Sequence, residues 1–284
     1  MKTLEKLWND KPLAVILFVA AFFRLIAVIF SKGYGMHDDH FLVIEAAQSW
    51  VDGADYNNWL PSETNKMVTP SGHSLLYPGL HYLLFKGLQF CGMYDAQLKM
   101  YVVRLLHAAW SMIIVYLGFK IAFKLEGIKA AKMAGGLLAI LFFMPMMSVR
   151  NLVEFVCIPP LLYATWIVIK NESNTKYSAL ILAGLMLSLA FNIRFQTILF
   201  IGGFGLALLV QMKWKETLWV VVGFLIGLAF VQATTDMIIW HQPFMELREY
   251  VRYNLENSDQ YPNSKWFTYL LLIGGILIPP ISIF

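Results

Sequence analysis

Long apolar runs separated by short polar connectors dominate the sequence. The first run, residues 13–30, can cross a hydrocarbon core of ~30 Å at ~1.5 Å per helical residue. Further runs of similar character occupy residues 101–123, 131–148, 152–169, 177–192, 194–211, 217–240 and 267–284. This pattern predicts an all-α polytopic membrane protein, a single domain over residues 1–284 with about eight transmembrane helices.

The composition agrees with a membrane protein and excludes several other classes. Apolar residues make up 58% of the 284 positions and charged residues only 14%, whereas soluble domains carry about 25% charged residues. The Lys and Arg residues fall in short patches and form no basic stripe, so nucleic acid is not an expected partner. Cys91 and Cys157 have no metal-ligand spacing, and no disulfide is expected between a polar stretch and an apolar run.

The basic residues also orient the predicted helices. Lysines are concentrated in residues 1–12 and in the short connectors between spans, so the positive-inside rule places the N-terminus in the cytoplasm. Two longer segments, 32–100 and 241–266, then face the outside. The first is far longer than a connection needs, and its apolar spacing predicts short interfacial helices at residues 40–51 and 75–91. Chemistry is therefore expected on the extracytoplasmic face.

Four consecutive ionisable residues, His37, Asp38, Asp39 and His40, stand just outside the first span. An aspartate before a helix can cap its free N–H groups, but capping needs only one carboxylate. The second carboxylate is then available for acid–base work, with a pKa raised by its charged neighbour. Two His and two Asp could also hold a divalent cation, although adjacent side chains point apart. Catalysis is the favoured interpretation, with capping alone and metal binding as alternatives.

Several other charges lie at or near the outer ends of predicted spans. Arg150, Glu154 and Arg194 are among them, and intramembrane charges usually face a polar cavity or a partner. Mutual pairing is the simple alternative for Arg150 and Glu154, which are four residues apart. Arg248 and Arg252 are one helical turn apart in the second outer segment, where their guanidinium groups would make a phosphate clamp.

Three motifs in this order resemble those of a known family. The run His37-Asp38-Asp39-His40-Phe41, followed by Glu45-Ala46-Ala47, resembles a His-Pro-Asp-Glu signature with its aromatic and Glu-x-Ala stretch. An Asn-x-x-Glu motif is matched by Asn151-Leu152-Val153-Glu154. The late luminal pattern is similar to Asp236, Pro243, Phe244, Asn254, Ser258, Tyr261, Trp266 and Tyr269. The sequence thus resembles the GT-C superfamily of glycosyltransferases, most closely the family 22 mannosyltransferases.

The resemblance implies a GT-C-like helical bundle and a transfer reaction. A hexose, mannose by resemblance, would pass from a polyprenyl-phosphate sugar to a glycan or lipid-linked acceptor, with inversion and without a metal or other cofactor. Asp39 aligns with the family aspartate and is the expected base, beside Asp38. The expected substrate-binding residues are His37, His40, Glu45, Arg150, Asn151, Glu154, Arg194, Arg248, Arg252, Tyr261, Lys265 and Trp266. The expected membrane is a cell inner membrane, with the endoplasmic reticulum as the alternative.

Two other functional classes remain open from the sequence. A polytopic transporter or flippase also places charges within the membrane, but it predicts internal inverted repeats, and none is recognisable. A non-catalytic subunit of a membrane complex is the third hypothesis. Members of the family normally continue with further spans, so we also expect that this sequence lacks C-terminal helices of the family.

Overall fold

The computed structural model describes residues 2–33, 37–61, 68–170, 176–260 and 265–277. It is 81% helical, and the described residues contain no β-strand. This confirms the prediction of an all-α protein. The predicted interfacial helices at residues 40–51 and 75–91 coincide with helical segments of the structure.

The helices are numbered here in chain order. They are α1 (Lys2–Asp10), α2 (Pro12–Phe30), α3 (His37–Asp39), α4 (Ala46–Val51), α5 (Leu76–Phe90), α6 (Ala96–Ile140), α7 (Phe143–Ser148), α8 (Val153–Val156), α9 (Ile158–Lys170), α10 (Tyr177–Ile193), α11 (Ile198–Val210), α12 (Trp214–Leu228), α13 (Thr234–Trp240), α14 (Met245–Glu256) and α15 (Thr268–Leu277). Two π-helical segments, His40–Glu45 and Ala229–Ala233, join α3 to α4 and α12 to α13. Short 3₁₀ turns at Phe195–Thr197 and Ser258–Gln260 complete the described helical structure.

Four helical stretches of the described chain are long and apolar enough to cross a membrane. They are Pro12–Phe30, Ala96–Ile140, Val153–Lys170 and Trp214–Trp240. Two shorter apolar helices, Tyr177–Ile193 and Phe195–Val210, match the predicted spans at 177–192 and 194–211. An integral membrane protein is thereby supported, while the count of about eight spans stays a prediction. The last predicted span, 267–284, extends beyond the described residues.

Helix α6 contains the predicted spans at 101–123 and most of the one at 131–148, and it reverses direction at Gly127. This glycine has φ 76° and ψ −166°, a left-handed conformation that a residue without Cβ adopts easily. In a straight helix Gly118 and Leu138, twenty residues apart, would be separated by ~30 Å. In this structure a Cβ on Gly118 would lie only 2.3 Å from Leu138 Cδ1. The two limbs of α6 therefore pack against each other, and the second limb ends at Ile140.

Arg24 lies in the middle of α2 and is 1% exposed. Its Nε donates to Ser111 Oγ at 2.8 Å, and its Nη atoms donate to the carbonyls of Ala20 and Leu138 at 3.3 Å each. These acceptors belong to α2 itself and to both limbs of α6. A guanidinium in an apolar bundle is thus hydrogen-bonded internally, and it joins three helical segments.

Helices α10 and α12 approach each other closely through glycines. A Cβ on Gly184 would lie 2.1 Å from the carbonyl oxygen of Val220, and one on Gly223 would lie 2.1 Å from that of Ile181. Small residues at such crossings let helix backbones come together, which replaces side-chain packing with backbone contact. This crossing supports the end of α10, where the chain turns into the site described below.

We predict that Gly223→Ala destabilises the protein by about 1–3 kcal/mol, because the added methyl group forces α10 and α12 apart. Gly203→Ala in the neighbouring α11 is the matched control, since a Cβ there meets nothing within 4 Å. Thermal unfolding of the two variants in the same detergent measures the difference. Equal melting temperatures for the two variants would contradict the close crossing.

Candidate active site

A cavity of about 710 Å³ opens where α3, the turn before α5, α8 and the end of α10 meet. Its size is that of a pocket for a small molecule or a sugar-bearing group. Its polar lining includes Asp38, Asp39, His73, Tyr77, Glu154 and Arg194. Charged groups that are far apart in the sequence therefore meet in one place.

The structure places Asp39 at the junction between α3 and the π-helical segment His40–Glu45. Single π-helical turns are frequent at functional sites, because the extra residue re-aims side chains. Asp39 makes no side-chain capping bond to the segment that follows it. Its carboxylate receives a hydrogen bond from the backbone of Val153, at the start of α8. The Asp39 side chain therefore does not cap the helical segment that follows it, as the capping alternative would require.

Asn151 and Glu154, just before and within α8, lie next to Asp39. The Asn151 side chain donates to the backbone carbonyl of Asp39 at 2.6 Å. Glu154, three residues further on, lines the cavity, and its charge acts on the Asp39 carboxyl group. The Asn-x-x-Glu motif thus supplies one residue that holds the Asp39 backbone and one that changes the electrostatics around its side chain.

Burial is the largest cause that raises the pKa of Asp39, from 3.8 to about 6. The negative charge of Glu154 raises it further, and Asp38 adds a smaller increase. The positive charge of Arg194 opposes this effect. A carboxyl group with a pKa near 6 is ionised at neutral pH and remains a better base than an ordinary aspartate.

Arg194 reaches the cavity because α10 ends directly before it. The residue is extended, with φ −148° and ψ 113°, and the chain continues as the 3₁₀ turn Phe195–Thr197. Its Nη1 pairs with Glu154 Oε1 at 2.8 Å. The predicted boundary between the runs 177–192 and 194–211 is therefore confirmed. The Arg194 cation is paired with Glu154 rather than with a group on its own helix.

Three further predicted residues lie on the opposite side of the π-helical segment. His40 Nε2 is 3.1 Å from Glu45 Oε1, and both residues face a second, smaller cavity. Arg150 donates to the backbone carbonyl of Gly33 and Glu154 pairs with Arg194, so the alternative of a pair between Arg150 and Glu154 does not form. None of these three side chains lines the main cavity.

The structure does not bring the predicted phosphate clamp into the cavity. Arg252 is half exposed and pairs with Glu249 at 2.6 Å and Glu256 at 3.1 Å on its own helix. Arg248 is exposed and is absent from the cavity lining. Their role in phosphate binding stays a prediction.

The remaining predicted residues are distant or undescribed. Lys265 and Trp266 are exposed and do not line the cavity. Tyr261 lies outside the described residues, as does the side chain of His37. Asp38, the second predicted catalytic residue, does line the cavity beside Asp39.

Sequence reasoning missed a buried aromatic group behind Asp39. The Tyr77 hydroxyl is 2.5 Å from His107 Nε2, and the His107 ring stacks on His81 with 5.7 Å between centroids. His107 Nδ1 is 2.7 Å from the Val103 carbonyl, which requires a proton on Nδ1 and makes Nε2 the acceptor. Burial and the Asp39 charge raise the pKa of Tyr77 well above 10. The sequence signal for this group was the spacing of Tyr77 and His81, which are four residues apart and therefore on one face of a helix.

Glu246 was also missed, and it joins the segment 241–266 to the segment 32–100. It is 0% exposed, and its Oε2 accepts from Ser71 Oγ at 3.0 Å and from the Gly72 backbone at 2.8 Å. Its Oε1 accepts from Trp240 Nε1 at 3.0 Å. Because Gly72 lines the cavity, this carboxyl group fixes one wall of the site from the second outer segment. Burial is the largest cause that raises its pKa, from 4.5 to about 7.

The described residues contain no group of three or more His, Cys, Asp or Glu side chains placed to hold a metal ion. The described side chains of the run at 37–40 are divided between the two cavities, with Asp38 and Asp39 facing one and His40 the other. A metal-independent reaction remains an expectation from the sequence.

An apolar helical bundle with a charged cavity at its helix ends defines an integral membrane protein with a site for polar chemistry. A model of the Alg9-like mannosyltransferase family matches residues 15–278. The chain therefore belongs to this family of glycosyltransferases, which confirms the resemblance and the prediction of an enzyme. The family implies a glycosyl donor and a glycan acceptor in a membrane. No curated protein and no solved structure matches the chain.

Glu246 predicts a specific pH dependence of stability. The Glu246 carboxyl group binds its proton more tightly in the folded protein than in the unfolded chain. Its contribution to the free energy of folding is therefore fully present below pH 4.5 and is lost as the pH rises through about 7. We expect the melting temperature to fall between about pH 5 and about pH 8, and Glu246→Gln to reduce that fall. Glu256→Gln, at an exposed position of the same helix, should keep the wild-type slope. If the melting temperature fell equally steeply with pH in both variants, Glu246 would not be the group responsible for the pH dependence.

Proposed function

We propose that this chain transfers a hexose, mannose by family, from a polyprenyl-phosphate sugar to a hydroxyl group of a glycan or glycolipid acceptor. The observation that carries this proposal is the Asp39 carboxyl group, which lines the large cavity and has a pKa of about 6. A base of that strength is ionised at neutral pH and can accept the proton of an attacking hydroxyl.

The proposed step is a single displacement. The acceptor oxygen forms a bond to the anomeric carbon of the donor, and its proton passes to Asp39. The bond between that carbon and the phosphate oxygen breaks on the opposite face, and the phosphate leaves with the electron pair. Configuration at the anomeric carbon is inverted. Holding both reactants in one cavity supplies much of the rate, because the reaction becomes effectively intramolecular.

Arg194 is the cation best placed to stabilise charge on the leaving phosphate. It lines the same cavity as Asp39, and its guanidinium can bind phosphate oxygens in a bidentate manner. Its ion pair with Glu154 at 2.8 Å holds one side of the guanidinium, which leaves the other donors to the substrate. The pair also limits how far Arg194 lowers the pKa of Asp39, because Glu154 acts in the opposite direction.

Aromatic walls suit a sugar substrate. Trp59, Tyr77 and Tyr250 line the cavity, and the Trp59 ring lies 5.6 Å from that of His73. Such side chains combine an apolar face with a polar edge, as a pyranose ring does. We place the cavity on the extracytoplasmic side, with the N-terminus in the cytoplasm and the donor tail in the bilayer. The proposed membrane is a cell inner membrane, with the endoplasmic reticulum as the alternative.

Asp39→Asn is expected to reduce transfer by about 10²–10⁴-fold, because the amide cannot accept the acceptor proton. Purified protein is supplied with polyprenyl-phosphate mannose or glucose and a panel of glycan acceptors, with a chelator present. Asp38→Asn is the matched control, since it removes the neighbouring carboxylate from the same cavity. It should retain much more activity than Asp39→Asn.

The outcomes of this experiment separate the parts of the proposal. Loss of transfer only in Asp38→Asn would move the base by one residue and leave the reaction class standing. A folded wild-type protein that transfers neither sugar to any acceptor would contradict the proposed function. Loss of activity on adding the chelator would contradict the metal-independent mechanism.

The pH profile of transfer gives a second test, because Asp39 must be ionised to act as a base. We expect activity to fall as the pH drops through about 6. Glu154→Gln should move this limb to lower pH, since it removes a charge that raises the pKa of Asp39. Arg194→Gln should move it to higher pH, since it removes an opposing charge. Shifts in the same direction for both variants would exclude Asp39 as the group that titrates.

A further inference from the structure

A second cavity of about 340 Å³ lies behind the π-helical segment, against the start of α6. It shares no lining residue with the cavity that contains Asp39. Its lining includes the buried cations Lys99 and Arg104, together with Gln48 and Phe85. It is therefore a separate site, and nothing in the transfer reaction described above uses it.

Lys99 and Arg104 are 6% and 3% exposed. Lys99 Nζ donates to Gln48 Oε1 at 2.8 Å and lies 5.7 Å from the centre of the Phe85 ring. Arg104 Nη1 donates to the Ser31 carbonyl at 2.5 Å, and its Nε donates to the Met100 carbonyl at 3.1 Å. The contacts of both cations are thus with neutral groups.

Neither cation has a carboxylate partner among the residues that the structure describes. Glu45, the acidic residue in this lining, is engaged with His40 at 3.1 Å. The remaining guanidinium nitrogen of Arg104, Nη2, is buried and has no hydrogen-bond partner in the described part of the chain. Two cations removed from water, one with an unused donor, are costly unless an anion joins them.

We propose that this second cavity binds the phosphate group of a lipid, with Lys99 and Arg104 as its cationic ligands. A guanidinium fork and an ammonium group are the usual ligands of phosphate oxygens. Ala96 and Gln97 also line the cavity, so the positive end of the α6 dipole faces it. In the proposed topology the site lies at the outer end of α6, a helix long and apolar enough to span a membrane.

The proposal is tested by binding alone, so it does not depend on the transfer reaction. Wild-type protein in detergent is titrated separately with phosphatidylglycerol, polyprenyl monophosphate, inorganic phosphate and, as a zwitterionic comparator, phosphatidylcholine. Native mass spectrometry counts the bound molecules. We expect Lys99→Gln and Arg104→Gln each to weaken binding by about tenfold or more, since each removes a charge-assisted hydrogen bond.

Lys86→Gln is the matched control, because Lys86 is exposed on α5 and does not line the cavity. It should bind as the wild type does, and Lys99→Arg should restore binding lost in Lys99→Gln. Arg104 also holds the chain at Ser31, so Lys99→Gln decides the result if Arg104→Gln does not fold.

The choice of probes identifies the source of the phosphate. Tight binding of phosphatidylglycerol supports a bilayer headgroup, and tight binding of polyprenyl monophosphate supports a second phosphate subsite for an isoprenoid lipid. Binding of inorganic phosphate without either lipid would overturn the lipid assignment. An equal loss in Lys86→Gln and Lys99→Gln, or wild-type affinity for phosphatidylcholine equal to that for the anionic lipids, would overturn the site itself.

Discussion

The free-energy cost of polar groups in hydrocarbon is the constraint on which the rest of this structure depends. Arg24 shows how it acts within the bundle: its guanidinium donates to the Ser111 hydroxyl, to a carbonyl of its own helix and to a carbonyl of α6. The same cost explains why other charges gather at helix ends. Arg194 follows the last residue of α10, and Glu154 lies in the first turn of α8, so both reach a cavity instead of lipid.

The chemistry of the site follows from how this cavity balances burial against charge. Burial and Glu154 raise the pKa of Asp39, and Arg194 limits the rise to about 6. Asn151 holds the Asp39 backbone at 2.6 Å, which keeps this carboxyl group next to the ion pair. Glu246 then fixes the cavity wall at Gly72, with Ser71 as a further donor. This buried carboxyl group joins the segments 32–100 and 241–266, which both contribute residues to the cavity lining.

Much of the candidate site was predictable from motifs, because Asp39, Asn151 and Glu154 occur in short local patterns. Arg194 was recognisable as a charge inside an apolar block. Arg252 was misleading, since Glu249 and Glu256, three and four residues away on the same helix, occupy its guanidinium. Glu246 could not be predicted, because its partners Ser71 and Gly72 are more than 170 positions earlier in the chain.

The sequence by itself determined the apolar helices, the membrane location and the family, because hydropathy and short motifs are properties of neighbouring residues. Only the tertiary structure decided which charges meet. Asp38, Asp39 and His40 are consecutive, yet the first two face one cavity and His40 faces the other, because the helical turn that carries each residue sets the direction of its side chain. The pairing of Arg194 with Glu154 likewise requires two helices to pack side by side. Burial and the distance between charges set the acidity of the site, and both arise only when the bundle has formed.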